Sequence, residues 1–298
     1  MNRPRRCRRG FAAAGWCALL LSSAVRAAAQ NDDASRLSNR PVEPIRVIGN
    51  VYSVGASEVT SFLIATDAGD ILIDGGFAET APQVEANLKK IGRDIHRVKV
   101  LLSTQAHYDH AGGLAQLKRD SGAKFAIMAV DAPLVERGGR SDFGFGDRLT
   151  YEPLKPDRLL KDGDTVELGG SRLTAVLTPG HTRGCTTWTA KVDENGKRYD
   201  VVFFCSTSVP GYRLAGKPAY SGIVEDYRAS FRRVASLSCD VFLAAHASFF
   251  DQEGKRERLA KDPRVNPFID PDEMRRHVEE SRKAFEAELS RQMREPSD

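Results

Sequence analysis

The sequence predicts an α/β protein in which two mixed sheets face each other and helices cover the outside. Three observations carry this. Apolar stretches of strand length recur in two clusters, helical patterns stand between and after them, and the composition is that of a globular chain. At 298 residues, with 41% hydrophobic and 28% charged side chains, it can bury one large core or two coupled half-cores. Residues 30–44 are polar, carry two prolines and read as a lead-in. Strands are expected at Ile45–Ile48, 51–54, 62–65 and 71–74, because short apolar runs there are parted by turns bearing Gly49-Asn50 and Asp67 to Asp70. A helix is expected over 80–91, with Val84, Leu88 and Ile91 on one face and Thr80 as its cap. Val98–Leu102 reads as a buried strand that runs into a polar loop. A helix at 112–121, a strand at Lys124–Met128 and a helix at 131–137 follow. The second half repeats the theme, with strands at 166–168, 173–177, 187–192, 201–204 and Val241–Ala244 and helices at 227–237 and 271–292. The organisation expected is one domain over 30–298, made of two similar halves at about 45–160 and 161–298.

The charge is unevenly placed. The formal net charge is +4, but residues 1–29 hold six arginines (Arg3, Arg5, Arg6, Arg8, Arg9 and Arg26) and no acid, so the remainder carries −2. The body has no basic excess for a phosphate backbone, which argues against nucleic-acid binding. Residues 1–29 read as an export signal: a basic start, an apolar stretch over 11–23 and small residues at Ala27, Ala28 and Ala29. The apolar stretch is about 13 residues, too short to span a bilayer. Arg8-Arg9-Gly10-Phe11 resembles a twin-arginine signal, and a general secretory signal is the alternative. Cys17 suggests no lipid anchor, because Trp16 stands where a small residue is needed. The expected location is the periplasm, with no membrane attachment once the signal is removed. A monomer is expected, although nothing in the sequence sets the oligomeric state. Beyond the leader stand Cys185, Cys205 and Cys239, an odd count that allows at most one disulfide.

Histidines carry the chemical signal. Of six, His107, His110, His181 and His246 sit in loops that directly follow apolar strands, where α/β folds build sites. His96 and His277 lack that setting and read as surface residues. In Gln105-Ala106-His107-Tyr108-Asp109-His110, positions 105 and 107 point the same way in an extended segment. The chain then turns at Gly112-Gly113, so Asp109 and His110 face a second point nearby. One hexapeptide can thus serve two neighbouring metals. The Gly-rich stretch from Asp142 to Gly146 reads either as a flexible surface loop or as a lid over a nearby site.

The hexapeptide resembles the His-x-His-x-Asp-His signature of the metallo-β-lactamase superfamily. Asp74-Gly75-Gly76, Thr178-Pro179-Gly180-His181-Thr182 and Ala245-His246 follow in that family's order. Gly184-Cys185-Thr186-Thr187-Trp188, Ser206-Thr207-Ser208-Val209-Pro210-Gly211-Tyr212 and Glu225-Asp226-Tyr227 are similar to subclass B3 more narrowly, and the likeness spans roughly residues 45–290. It implies the αβ/βα four-layer sandwich and two zinc sites, with Gln105, His107 and His181 holding the first ion and Asp109, His110 and His246 the second. Gln105 departs from the usual histidine. An amide oxygen is a weaker donor than an imidazole, so a weakened first site is expected, and an enzyme working with the second ion alone is possible on this reading. The stretch 204–208 has no carboxylate to bridge two metals, unlike glyoxalase II and the lactonases. The resemblance leaves Ser206 and Ser208 to bind the substrate carboxylate and Tyr212 to polarise the attacked carbonyl. Loop capping for the serines and packing for Tyr212 are the alternatives. Cys185 and Cys205 would flank the same site. A disulfide between them resembles one in some B3 enzymes, two buried thiols being the alternative, and Cys239 would be free. Asp74 either hydrogen-bonds a ligand histidine from behind or caps its turn.

The implied reaction is hydrolysis of the β-lactam amide, which confers resistance to these antibiotics. Zinc lowers the pKa of a bound water toward about 7, Asp109 orients it, and no acyl-enzyme is needed. Gly-x-Ser-x-Gly is absent, and no Ser-x-x-Lys stands in a catalytic context, which argues against a serine hydrolase. The alternatives are another hydrolase of the same fold, such as a lactonase or esterase, and a periplasmic zinc-binding protein without catalysis.

Overall fold

The computed structural model describes residues 37–295. The chain divides after Ser38, and the account below is of the unit from Asn39 onward. The expected export signal at 1–29 lies outside the described residues.

The larger sheet has seven strands in sequence order: β1 (Ile45–Ile48), β2 (Val51–Ser53), β3 (Phe62–Thr66), β4 (Gly69–Ile73), β5 (Val98–Leu102), β6 (Lys124–Met128) and β7 (Arg158–Leu160). β1 to β4 pair antiparallel, and β4 to β7 pair parallel. Parallel neighbours need crossovers. These are α1 (Ala81–Lys90) before β5, α2 (Tyr108–Ala111) and α3 (Leu114–Ser121) before β6, and α4 (Ala132–Glu136) before β7. The smaller sheet contains β8 (Thr165–Leu168), β9 (Ser171–Leu177), β10 (Thr186–Glu194), β11 (Lys197–Phe204) and β12 (Val241–Ala244), in the order 12-11-10-9-8. Only β11 and β12 run parallel, joined through α5 (Ile223–Ala235). Helices α6 (Gln252–Lys261) and α7 (Glu273–Arg294) complete the described chain. No described helix is long and apolar enough to cross a membrane.

Period-two alternation sorts the core. Phe62, Ile64, Ile71, Ile73, Leu102 and Met128 face one cluster, shared with Trp188, Val201 and Phe203 of the smaller sheet. Their strand neighbours Leu63, Leu72, Leu101, Phe125 and Ile127 face the other, with Val84, Leu88 and Leu117 from the helices. The central strands are therefore buried on both faces, as parallel strands require. Edge-to-face packing of Phe62 on Phe203 at 5.4 Å joins the sheets. So do the Trp188 indole N–H, which donates to Ser103 O at 3.1 Å, and Thr186 N, which donates to Thr104 O at 2.7 Å.

The architecture matches the one read from the sequence, with local differences. β7 was not anticipated, because only Leu160 of its three residues is buried. β10 and β11 run longer than expected and close through Asn195-Gly196, both at positive φ (50° and 76°), with Glu194 opposite Lys197. This is the two-residue Asn-Gly hairpin, masked in the sequence by the charged residues around it. α6 has no apolar stripe and buries only Gln252 and Lys255. The expected helix at 112–121 is preceded by the separate turn α2. Thr80 stands at the start of α1 but does not cap it, and its hydroxyl instead hydrogen-bonds Asn39 Oδ1.

His96 is exposed, whereas His277 is not the surface residue expected. Its ring packs on Phe204, Phe242 and Phe249 at 5.0 to 5.5 Å. Burial lowers its pKa to about 4 from an ordinary 6.5. The unfolded chain therefore binds the extra proton first, and stability is lost as pH falls from about 6.5 to about 4. His277→Phe is expected to flatten the pH dependence of urea unfolding across that window, and an unchanged slope would show that the imidazole does not govern it.

Candidate metal centre

Strand ends place the side chains. β4 ends just before Asp74, which is held at φ 62° and whose carboxylate accepts from Thr104 N at 2.7 Å and Thr104 Oγ1 at 2.6 Å just beyond β5. Gly75 N donates to His110 O at 2.9 Å, and Gly113 N to Gly76 O at 3.1 Å. A Cβ at Gly113 would lie 2.3 Å from Gly75 O, so only glycine allows this approach. The two glycine pairs thus fix where α2 begins, and with it Asp109 and His110. His181 follows β9. His246 follows β12 and is bridged to Val59, while Thr60 N donates to Ala245 O at 3.0 Å and Ala247 N to Glu58 O at 2.7 Å.

The four imidazoles meet as two pairs. His107 Nδ1 lies 3.2 Å from His181 Nε2, and His110 Nε2 lies 3.3 Å from His246 Nε2. Asp109 Oδ2 stands 3.4 Å from His110 Nε2 and 3.7 Å from His246 Nε2. Donor atoms of Asp109, His110 and His246 all fall within 4.8 Å of one another. Gln105 is wholly buried, and neither of its amide atoms has a hydrogen-bond partner. A buried amide left so costs about 1–3 kcal/mol, a cost that a bound cation would relieve at the oxygen. Imidazole nitrogens, one carboxylate and a neutral amide oxygen form a donor set that fits a zinc-type ion.

The two groups differ in charge. Behind the histidines of the second group stand two more carboxylates. Asp74 Oδ2 is 3.4 Å from His110 Nδ1, and Glu58 Oε1 is 3.6 Å from His246 Nδ1. Burial opposes ionisation of Asp109, but the charge and hydrogen bond of His110, with His246 and His107, outweigh it and hold the carboxyl far below its usual range. Burial likewise opposes the charge on His110, but Asp109 and Asp74 push its pKa up to about 10. In the first group, burial and then the charge of His107 drive His181 well below its ordinary value. Negative charge reaches this group from Asp142 Oδ2, 3.7 Å from His107 Nε2, and from Asp131, whose carboxylate interacts with the charge of His107.

Tyr212 is buried. Its hydroxyl donates to His181 O at 3.0 Å and lies 3.3 Å from His107 Nε2. The Gly-rich loop lies over it: Phe143 packs on Tyr212 at 4.9 Å, and Phe145 packs on His107 at 5.1 Å. Asp142 Oδ1 ties that loop by accepting from Gly144 N and Phe145 N. Ser208 is exposed, with its Oγ 3.1 Å from His181 Nδ1, whereas Ser206 is 1% exposed and donates from Oγ to Ser208 Oγ at 3.1 Å. Cys185 and Cys205 form a disulfide with Cα atoms 5.9 Å apart, and Cys239 is free.

Sequence reasoning missed Glu58 and Asp131, and it gave Asp142 only as the start of the Gly-rich stretch. Asp131 is buried, and its carboxylate accepts from Ala106 N at 3.1 Å, Thr182 Oγ1 at 2.7 Å and Gly184 N at 2.6 Å. It fastens the hexapeptide to the His181 loop. Asp131 was visible only as the start of a helix, and Glu58 had no local signal.

The family model described as the metallo-beta-lactamase superfamily matches residues 54–246. The chain belongs to this superfamily. Native FEZ-1 metallo-beta-lactamase from Legionella gormanii is 40% identical with a TM-score of 0.84, over 86% of this chain and 99% of that one. BJP-1, a subclass B3 metallo-beta-lactamase of Bradyrhizobium japonicum, is 36% identical with a TM-score of 0.81, over 86% and 97%. Among curated relatives, a probable metallo-hydrolase of Burkholderia pseudomallei is 32% identical over 53% of this chain and 53% of its own length. An acyl-coenzyme A thioesterase of Gallus gallus is 26% identical over 47% of this chain and 52% of its own. The chain spans about half the length of these two curated relatives. Family and fold together make it a hydrolase of the metallo-beta-lactamase type, and they imply a zinc-type metal and a small-molecule substrate.

Asp131→Ala removes three hydrogen bonds at once and is expected to cost about 3 kcal/mol in urea unfolding, with weaker zinc binding in competition with a chromophoric chelator. Wild-type stability and affinity in this variant would show that the carboxylate does not hold the loops together.

Proposed function

We propose that the protein hydrolyses the amide bond of β-lactams. The observation that carries this is the double histidine arrangement with Asp109 beside the His110–His246 pair, in a chain 40% identical to a metallo-beta-lactamase over nearly that protein's whole length. Gln105, His107 and His181 would hold one zinc-type ion, and Asp109, His110 and His246 a second. When bound, the metal supplies Lewis acidity and a water of lowered pKa.

Asp109 is the carboxylate placed to orient the attacking water and to carry its proton toward the ring nitrogen. The exposed hydroxyl of Ser208 is set to bind the substrate carboxylate, with Ser206 buttressing it from behind. Tyr212 reaches the attacked carbonyl only by leaving His181 O, and in the arrangement observed it positions His107 and His181. On the strength of residues 1–29 we place this activity in the periplasm, where it would confer β-lactam resistance.

The charge difference between the groups sets their order of affinity. The second site would have a charged ligand in Asp109, with Asp74 and Glu58 behind its histidines, whereas the first would have neutral ligands only, with Asp142 and Asp131 near His107. Full-length protein dialysed against buffer is expected to keep about one zinc per chain, and Gln105→His about two, by elemental analysis. Equal zinc content in the two proteins would refute the weakened first site.

Purified protein is expected to hydrolyse nitrocefin and imipenem, to lose that activity to a chelator and to regain it with zinc. Asp109→Asn should lower kcat/KM by about 10²-fold or more. A second reading, ester or thioester hydrolysis, is favoured by thioesterases among the curated relatives. Cleavage of acyl-coenzyme A with no turnover of either lactam would establish it instead.

A further inference from the structure

Beside the metal centre lies a cavity of about 360 Å³, built from the loop after β11, from Phe249 and from one face of α7. Its α7 residues, His277, Ser281, Ala284, Phe285 and Glu288, recur at the spacing of a single helical face. Two of its lining residues touch histidines of the centre. Ser208 lines the cavity, and its Oγ lies 3.1 Å from His181 Nδ1. Phe249 lines it too, and its ring lies 5.2 Å from that of His246. The cavity therefore continues the site on the side where Ser208 would hold the substrate carboxylate.

The lining fixes the chemistry of the occupant. Val209, Phe249, Phe285 and the His277 ring make it apolar and aromatic. Burial keeps His277 uncharged at neutral pH. Glu288, at the rim, is neutralised by Arg291, whose Nη2 lies 2.6 Å from Oε1. No free charge is offered. One polar group awaits a partner: Thr207 is 3% exposed, lines the cavity, and its buried hydroxyl has no hydrogen-bond partner. An uncharged flat ring with a hydrogen-bonding edge meets all of these conditions.

We propose that this cavity is a specificity subsite that takes an uncharged heteroaromatic substituent carried on the carboxylate side of a bicyclic lactam, with Thr207 bonding the edge of the ring. This rests on the β-lactam reading above. Ala284 is exposed on α7, so a large side chain there fills the cavity without disturbing the core.

The test compares two cephalosporins that differ only at C3, one bearing a methyl group and the other an uncharged heteroarylthiomethyl group. For the wild type, KM should be lower for the heteroaryl compound. In Ala284→Trp the ratio of the two KM values should shift against it by about tenfold. The His277 imidazole resonances of labelled protein should also move on adding the heteroaryl compound to the wild type, and not in the variant. An unaltered KM ratio with unmoved His277 resonances overturns the subsite. If neither compound is hydrolysed, the β-lactam reading fails by itself, and the His277 titration alone then decides whether the cavity takes the ring.

Discussion

The site depends on one buried carboxylate. Asp131 stands at the head of α4 and accepts hydrogen bonds from two loops that the chain places far apart: the hexapeptide at Ala106, and the segment after His181 at Thr182 and Gly184. Burial raises its pKa while these donors and the charge of His107 lower it, so the carboxylate is tolerated in the interior only because the loops are there to satisfy it. The dependence runs both ways. A Cβ on Gly184 would come 2.6 Å from the Asp131 carboxyl carbon, so a side chain at that position would prise the loops apart. One residue further on, the disulfide from Cys185 to Cys205 ties the His181 loop to the loop that carries Ser206 and Ser208. Geometry at His107 and His181 is thus set from beneath by a charge and from the side by a covalent link.

The two halves of the centre are held by different means. His110 and His246 each have a carboxylate behind them, the usual way of fixing a ligand imidazole and raising its basicity. His181 instead presents Nδ1 to Ser208 O at 2.9 Å, and His107 lies under Phe145 and against Tyr212. In one half carboxylates stand directly behind the imidazoles; in the other the rings are held by packing and neutral hydrogen bonds, and the Asp131 carboxylate acts on the loops that carry them. Gln105, neutral and unpartnered, belongs to the second kind.

What was legible in the sequence was what is local. Short continuous apolar runs marked the central strands, because both of their faces are buried and their neighbours along the chain are turn residues. The four histidines after strands were legible for the same reason, since strand ends are short-range features. β7 and α6 were not, as neither buries enough apolar surface to leave a pattern. The carboxylates behind the site were hidden because each acts across a long stretch of chain: Asp131 meets Gly184 at a separation of 53 residues, and Glu58 meets His246 from the other end of the fold. His277 was misread, although its spacing was informative. Met274, Val278 and Phe285 mark the buried face of α7, and His277 lies beside it.

The ligand candidates hang from the ends of strands in both sheets, His107 and His110 beyond β5 and His181 and His246 beyond β9 and β12. A cation gripped by such a set is a cross-link between the two halves of the core, and it contributes to folding by mass action. Cofactor loading and thermal endurance would therefore be thermodynamically coupled in this protein. Scarcity of the ion in the surroundings would shorten the lifetime of the chain as well as silence it.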